Sequence, residues 1–263
     1  MEQVLFTNIL DNYKAFSLIL VRVAGFIFLM PIFSSKTLPM VVKAASCLVI
    51  STFLLPLLKI DPVAFPTNLP SYLILVVAEL FVGMTMALML RLLFAGLQTA
   101  GQMTGFQMGF SVANVVDPSS GAQSVIIAQF VYLIGLLLFL TSNAHHFIIY
   151  GLYESFSILK PGQLVLAPSL HRLLMDMGQM MFVLSIKILA PVLAILFLSQ
   201  AALGVLAKVV PQINVLMVSF SLNIGLGLFF LGLSMQFFWP IFSKYLERSL
   251  RLIPVALRLF AGQ

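Results

Sequence analysis

The ionisable side chains of this 263-residue chain are few, and three of them fall inside apolar runs: Arg22, Glu79 and Lys187. A charge at the centre of a bilayer costs on the order of 3 kcal/mol on insertion scales, so each needs a partner or a route to an interface. The opposite signs of Arg22 and Glu79 predict that they pair, with each other or across a subunit boundary. Lys187 can equally reach an interface by snorkelling. Buried pairing implies burial in protein, so these charges mark the chain as a subunit of an assembly. Sets of residues that could do catalysis are thin. His145 and His146 are adjacent, so on a helix they point about 100° apart and cannot chelate one metal as an i, i+4 pair would. They read as packing or hydrogen-bonding residues at a helix end. Ser111, in the stretch GFS with a histidine in the next apolar run, faintly resembles an intramembrane serine protease, whose hydroxyl needs an adjacent base. No other catalytic signature accompanies it. There is no G-x-x-x-x-G-K-[ST] sequence to cradle phosphates. The expectation is a protein that is not an enzyme and has no cofactor or metal.

The elements that position these residues follow from composition. The chain is 61% hydrophobic and 8% charged, with a mean hydropathy of +1.12, more than a water-facing surface tolerates. This predicts an all-α membrane protein. Apolar runs at 16–33, 40–58, 71–100, 124–150, 178–206 and 213–239 give six helical segments, most near the ~20 residues that cross ~30 Å of hydrocarbon. Prolines punctuate the connectors. The single cysteine, Cys47, can form no internal disulfide. The acidic start MEQVLFTNILDNYK argues against a cleaved signal peptide. Lys244, Arg248, Arg251 and Arg258 follow the last apolar run. They predict a cytoplasmic C-terminus by the positive-inside rule, and no nucleic-acid role. Residues 241–263 read as a basic amphipathic surface helix interrupted near Pro254.

Between the third and fourth segments lies the stretch GQMTGFQMGFSVANVVDPSSGAQ, residues 101–123. Gly101, Gly105, Gly109 and Ala113 recur every fourth residue, a spacing that lets another helix approach closely. Gln102, Thr104, Gln107, Ser111 and Asn114 nevertheless leave it polar on much of its circumference, and Asp117-Pro118 ends it. Broken backbone at membrane depth is tolerated inside protein or along a water-filled cavity. Close packing is one reading; a loop that lines or blocks a conduit is the other. In the second, Met103, Phe106, Met108 and Phe110 fill the opening, and the glycines supply freedom to move aside.

Several stretches resemble the export-gate family of type III secretion, the flagellar FliR proteins and their injectisome counterparts. They are RVAGFIFLMPIFSSKTLP (22–39), AELFVGMTMAL with Glu79 and Gly83, SNAHHFIIYGLYESF, and KVVPQINVLMVSFSLNIGLGL. Ala144 stands where that family usually has glycine. After the Pro211, Gln212 and Asn214 motif, Ser221 and Asn223 replace the usual proline and lysine. The resemblance implies a non-enzymatic subunit of a protein-export pore in the bacterial inner membrane at the flagellar basal body. It implies assembly with the membrane subunits FliP and FliQ and then with other export-apparatus proteins, in a helical arrangement largely raised out of the bilayer. The substrates would be unfolded secreted polypeptides, with energy from a separate ATPase and the proton-motive force. Residues 1–175 would be the FliP-like part and 176–240 a FliQ-like hairpin. Gly105 to about Gly121 would be the pore plug, with Gly105, Phe106, Met108, Gly109, Phe110, Asp117 and Pro118 as its site residues. The rival reading is a small-solute secondary transporter or channel with a re-entrant segment, since such proteins also use broken helices with midplane charges. No inverted repeat of the hydropathy pattern accompanies it.

Overall fold

The computed structural model describes residues 2–33, 38–58, 68–110, 126–165, 169–210, 212 and 214–262. Among the described residues every regular element is a helix: α1 (Glu2–Leu29), α2 (Met40–Leu54), α3 (Leu69–Met108), α4 (Ile126–Thr141), α5 (Ala144–Ile158), α6 (Ser169–Ile188), α7 (Ala190–Val209) and α8 (Val215–Phe260). Four of them, α1, α3, α7 and α8, contain spans long and apolar enough to cross a membrane, and α4 with α5 makes a fifth if that bent pair is one span. The expected six spans are therefore four or five among the described residues; α2, at 15 residues, is too short by the ~20-residue requirement.

Six apolar runs become eight helices because two of them contain a breaker. The run at 124–150 bends by 70° between α4 and α5, at Asn143, whose φ of 56° and ψ of 20° are left-handed. Asparagine is among the few residues with a side chain that visit this region routinely. The run at 178–206 breaks at Leu189, and α7 restarts with Pro191 in its first turn. Proline suits that position because the first turn has no intrahelical acceptor for its missing N–H. The third run is longer than expected. Gly101 to Met108 continue α3, so the first third of the 101–123 stretch is helical.

Pro254 does not interrupt the C-terminal segment, contrary to expectation, and neither does Pro240: α8 passes through both as one 46-residue helix. An interior proline removes a hydrogen bond and crowds the preceding turn. Here side chains buried on both flanks hold the helix together, among them Phe238, Phe242, Ile253 and Leu257. At 1.5 Å per residue α3 and α8 are about 60 and 69 Å long, roughly twice a bilayer's hydrocarbon.

The chain forms two compact units, one from residues 1–92, 143–177 and 248–263, the other from 93–142 and 178–247. In the first unit α1 and α3 run parallel, as rising numbers on both show: Ser17 is hydrogen-bonded to Tyr72, Arg22 to Glu79, and Gly25 lies against Leu80 and Met84. Ala15, Leu18 and Leu75 form a core at the start of this pair, with Leu55, Tyr72 and Val76 packed on it. Phe81 stacks edge-on against Phe260 at 5.9 Å, and the Val165 N–H donates to the Phe260 carbonyl at 2.7 Å. The second unit is centred on Phe94, whose ring makes edge contacts with Tyr132, Phe139 and Phe242.

Both units rely on glycine where helices cross. A Cβ on Gly83 would lie 2.1 Å from the Arg22 carbonyl oxygen and 3.0 Å from the Phe26 nitrogen; one on Gly101 would lie 2.4 Å from Ala128 Cα. Neither backbone can retreat without separating its helix pair. Gly83→Ala is expected to destabilise the protein by about 1–3 kcal/mol or more, the range for overpacking a filled core. Gly178→Ala, where a Cβ meets nothing within 4 Å, is expected to be neutral or stabilising by up to about 1 kcal/mol. Thermal aggregation of the two variants in detergent, beside the parent, measures the difference.

Candidate functional site

In the first unit the structure brings Arg22 and Glu79 together. Arg22 is 0% and Glu79 2% exposed, and Nε of Arg22 donates to Oε2 of Glu79 at 2.5 Å. The other two nitrogens are also used. Nη1 donates to Ser155 Oγ at 3.1 Å, and Nη2 to the Leu159 carbonyl at 3.0 Å. The guanidinium carbon lies 4.0 Å from the centroid of the Phe156 ring, within cation–π range.

Each element contributes for a local reason. Gly83, one turn after Glu79, admits the α1 backbone; α5 ends at Leu159, whose extended φ of −122° and ψ of 95° free its carbonyl for the guanidinium. A cation is favoured there, because a helix C-terminus carries partial negative charge. Ser155 Oγ accepts from Arg22 and donates its own hydrogen bond to the Leu152 carbonyl at 2.6 Å. A buried cation with each of its three nitrogens hydrogen-bonded is a fastener of three elements rather than a reagent. Lys187 does not join them: it is exposed in the last turn of α6. The roles of Ser155, Phe156 and the Leu159 carbonyl escape sequence reasoning, since nothing in the spacing of 133 or 137 residues links them to Arg22.

In the second unit α3 ends in a Schellman motif. The Phe110 N–H donates to the Gly105 carbonyl at 3.1 Å and the Gly109 N–H to the Phe106 carbonyl at 3.0 Å, with Gly109 at a φ of 93°. This is the left-handed C′ position that glycine fills without strain. A Cβ at Gly109 would also lie 2.6 Å from the Phe220 ring, and one at Gly227 2.5 Å from the Met108 methyl. The Gln200 Nε2 donates to the Gln107 carbonyl at 3.0 Å, so α7 and α8 both hold this terminus. The candidate plug residues divide accordingly. Gly105 and Met108 are buried, Gly109 and Phe110 are half-buried, and Phe106 is 68% exposed. Asp117 and Pro118, like Ser111, lie outside the described residues.

Of the Pro211, Gln212 and Asn214 motif, Pro211 is outside the described residues and Gln212 is exposed in a turn. Asn214 caps α8, its Oδ1 accepting the Met217 N–H at 3.3 Å, as N-cap asparagine does. Asn223 is 3% exposed; its Oδ1 accepts from Ser199 Oγ at 2.7 Å and its Nδ2 donates to Ser219 Oγ at 3.2 Å. Ser221 faces outward. His145 and His146 open α5 with their ring centroids 4.1 Å apart, closer than the helical angle alone suggests. Among the described residues no three His, Cys, Asp or Glu side chains are grouped to hold a metal.

The ion pair sets a stability test. Glu79→Leu strands a fully buried guanidinium and is expected to cost about 3–5 kcal/mol, whereas the double change Arg22→Met, Glu79→Leu removes both charges and recovers most of that loss. Membrane accumulation and thermal aggregation of the single and double variants measure it. Equal losses in the two would show that the pair is not what holds these helices.

The family described as bacterial export proteins, family 1, matches residues 13–249, from the first helix to late in the last. Among similar proteins is the flagellar biosynthetic protein FliR of Bacillus subtilis (strain 168), 33% identical over 243 residues, 87% of this chain and 89% of that one. The FliR of Escherichia coli (strain K12) is 29% identical over 221 residues, 84% of each chain. That of Aquifex aeolicus (strain VF5) is 28% identical over 226 residues, 86% of this chain and 87% of its own. With a match of this extent, the chain belongs to the bacterial export proteins, family 1, the family of the flagellar FliR proteins.

Proposed function

We propose that this chain is a subunit of the type III export gate in the bacterial inner membrane at the flagellar basal body, where it helps to form the protein-conducting pore and plugs it. In this reading it assembles with FliP and FliQ and then with other export-apparatus proteins, and it passes unfolded polypeptides. Residues 1–175 act as the FliP-like part, 176–240 as the FliQ-like hairpin and 241–263 as a basic C-terminal segment on the cytoplasmic side. The observation that carries it is the end of α3. A helix clamped by Met108, Gly109 and Gln107 presents Phe106 outward and hands the chain at Phe110 to the segment 111–125. That segment contains Asp117 and Pro118 and follows a fixed root, which is the arrangement a displaceable plug needs.

Two further features support the reading. Many large apolar side chains on α7 and α8 are exposed, Phe197, Met217 and Phe229 among them, so these helices need lipid or partner subunits to cover them. Lys160 and Arg258 are exposed at the level of the buried ion pair, since Lys160 follows Leu159 and Arg258 lies two residues from Phe260, which stacks on Phe81. Exposed charges there suit helices raised out of the hydrocarbon. Gating then follows from a hydrophobic constriction that excludes water and ions until a polypeptide displaces it.

Changing both Phe106 and Phe110 to alanine tests the plug. Phe106 is largely outside the chain's own core, and exposed substitutions away from special features stay within about 0.5 kcal/mol. The complex is therefore expected to assemble in near-normal yield while the membrane becomes leaky to ions or small solutes. Met108→Ala, which empties a site 0% exposed, is expected instead to lower yield, at about 2–5 kcal/mol. Permeability of cells producing the whole complex, measured beside its yield, separates the two; lost yield or a tight membrane in the double-alanine variant counts against the plug.

A further inference from the structure

The last turns of α8, in the first unit, carry a row of arginines. Arg248, Arg251, Val255 and Arg258 are all exposed and follow one another at three, four and three residues, so they share one helical face. The opposite face is locked in place. Ser249, Ile253, Ala256, Leu257 and Phe260 are 4% exposed or less, the Phe260 carbonyl accepts the Val165 N–H, and its ring stacks on Phe81. The row therefore points in one fixed direction, and its ends are about 15 Å apart. Ordinary reasons for surface cations cover only part of it. A helix C-terminus favours cations within its last turn, which accounts for Arg258 but not for Arg248, twelve residues before Phe260. Glu247 and Arg251 each have a partner within the chain, whereas among the described residues no carboxylate pairs with Arg248 or Arg258. The chain has 14 Lys and Arg against 8 Asp and Glu, and no acidic residue follows Glu247. The counter-charge for this surplus comes from outside the chain.

Anionic lipid does not reach the whole row. Large exposed apolar side chains on α8 run from Met217 to Trp239, so any hydrocarbon around this helix ends near Trp239, whose amphipathic ring suits an interface. Lys244, five residues on, is placed for headgroups. The helix then continues without a break, and Arg258 stands 19 residues past Trp239, about 28 Å along the axis. A headgroup layer is roughly 5–8 Å deep, and a tilt of ~40° shortens that distance only to about 21 Å. Carboxylates on a protein fit better. A planar guanidinium fork matches a carboxylate, and Val255, 43% exposed in the middle of the row, offers an apolar contact that a helix can fill and a phosphate backbone cannot.

We propose that this face of α8 docks an acidic helix of another subunit, with Asp or Glu side chains opposite Arg248 and Arg258 and an apolar side chain on Val255. The inference rests on the reading of the chain as a subunit of a hetero-oligomer, and adds the chemistry by which one partner is chosen. A basic helix of the same shape would be repelled along the whole row.

The test uses the whole apparatus in cells, with a photo-crosslinking residue in place of Val255 and the adduct identified by mass spectrometry of the purified complex. The expected adduct is on another subunit, in a segment with Asp or Glu within two turns of the crosslinked residue. Adding Arg248→Glu and Arg258→Glu together is expected to lower the yield of that adduct roughly tenfold or more, because like charges then face each other. Exchanging the partner's carboxylates for arginine should restore it. If the doubly reversed chain does not accumulate, Arg248→Gln with Arg258→Gln is read in its place, and a loss of adduct is again expected. An adduct on phospholipid, on nucleic acid or on this chain itself overturns the proposal while leaving the assembly reading intact. So does the absence of any adduct, an adduct on a segment without acidic residues, an unchanged yield in the altered chain, or no restoration by the exchange. Failure of the unmodified chain to co-purify with other membrane subunits overturns both.

Discussion

A guanidinium with no exposure to solvent constrains everything packed around it. Arg22 requires a carboxylate, further acceptors and a close backbone, and these come from two separate parts of the chain: Glu79 on α3, and the last turn of α5 with Ser155 and the Leu159 carbonyl just beyond it. The parallel crossing of α1 and α3, the glycine at position 83 and the place where α5 stops all follow from that one set of hydrogen bonds. The gain lies in specificity as much as in stability. A buried pair seldom outperforms a well-packed apolar one, but it penalises every arrangement that leaves a member alone, so it selects one register between helices whose surfaces are otherwise uniformly apolar.

The second unit achieves register differently. Its centre is a set of edge-to-face rings around Phe94, and its precision comes from absent side chains. Gly101 against Ala128, Gly109 against Phe220 and Gly227 against Met108 each leave room for one specific neighbour. Small residues in this use take the place of the hydrophobic driving force that apolar helices lack in an apolar setting.

Much of this was legible in the sequence, and the remainder was hidden for physical reasons. Composition indicated apolar helices, and the opposite signs of Arg22 and Glu79 inside apolar runs pointed to pairing, either with each other or across a subunit boundary; the structure shows the first. The glycine row of 101–109 was legible as a choice between packing and movement. The structure divides it, since Gly101 serves a helix crossing and Gly109 a helix cap. Hydropathy could not distinguish a proline that starts a helix from one that a helix absorbs: Pro191 begins α7 while α8 runs through Pro254. That difference depends on whether flanking side chains are buried, a tertiary property. The Leu159 carbonyl was invisible for a similar reason, because a backbone group has no residue type to announce it.

The separation of the ion pair along the chain also constrains how the protein is made. Glu79 follows Arg22 by 57 residues and Ser155 follows it by 133. At ~5–20 residues per second, roughly 3–11 s of synthesis separates the arginine from its counter-ion. During that interval the first helix holds a lone cation whose release into hydrocarbon costs on the order of 3 kcal/mol. Completion of the third helix supplies the carboxylate that neutralises it. The order of translation thus sets how long the N-terminal cation goes without its counter-ion.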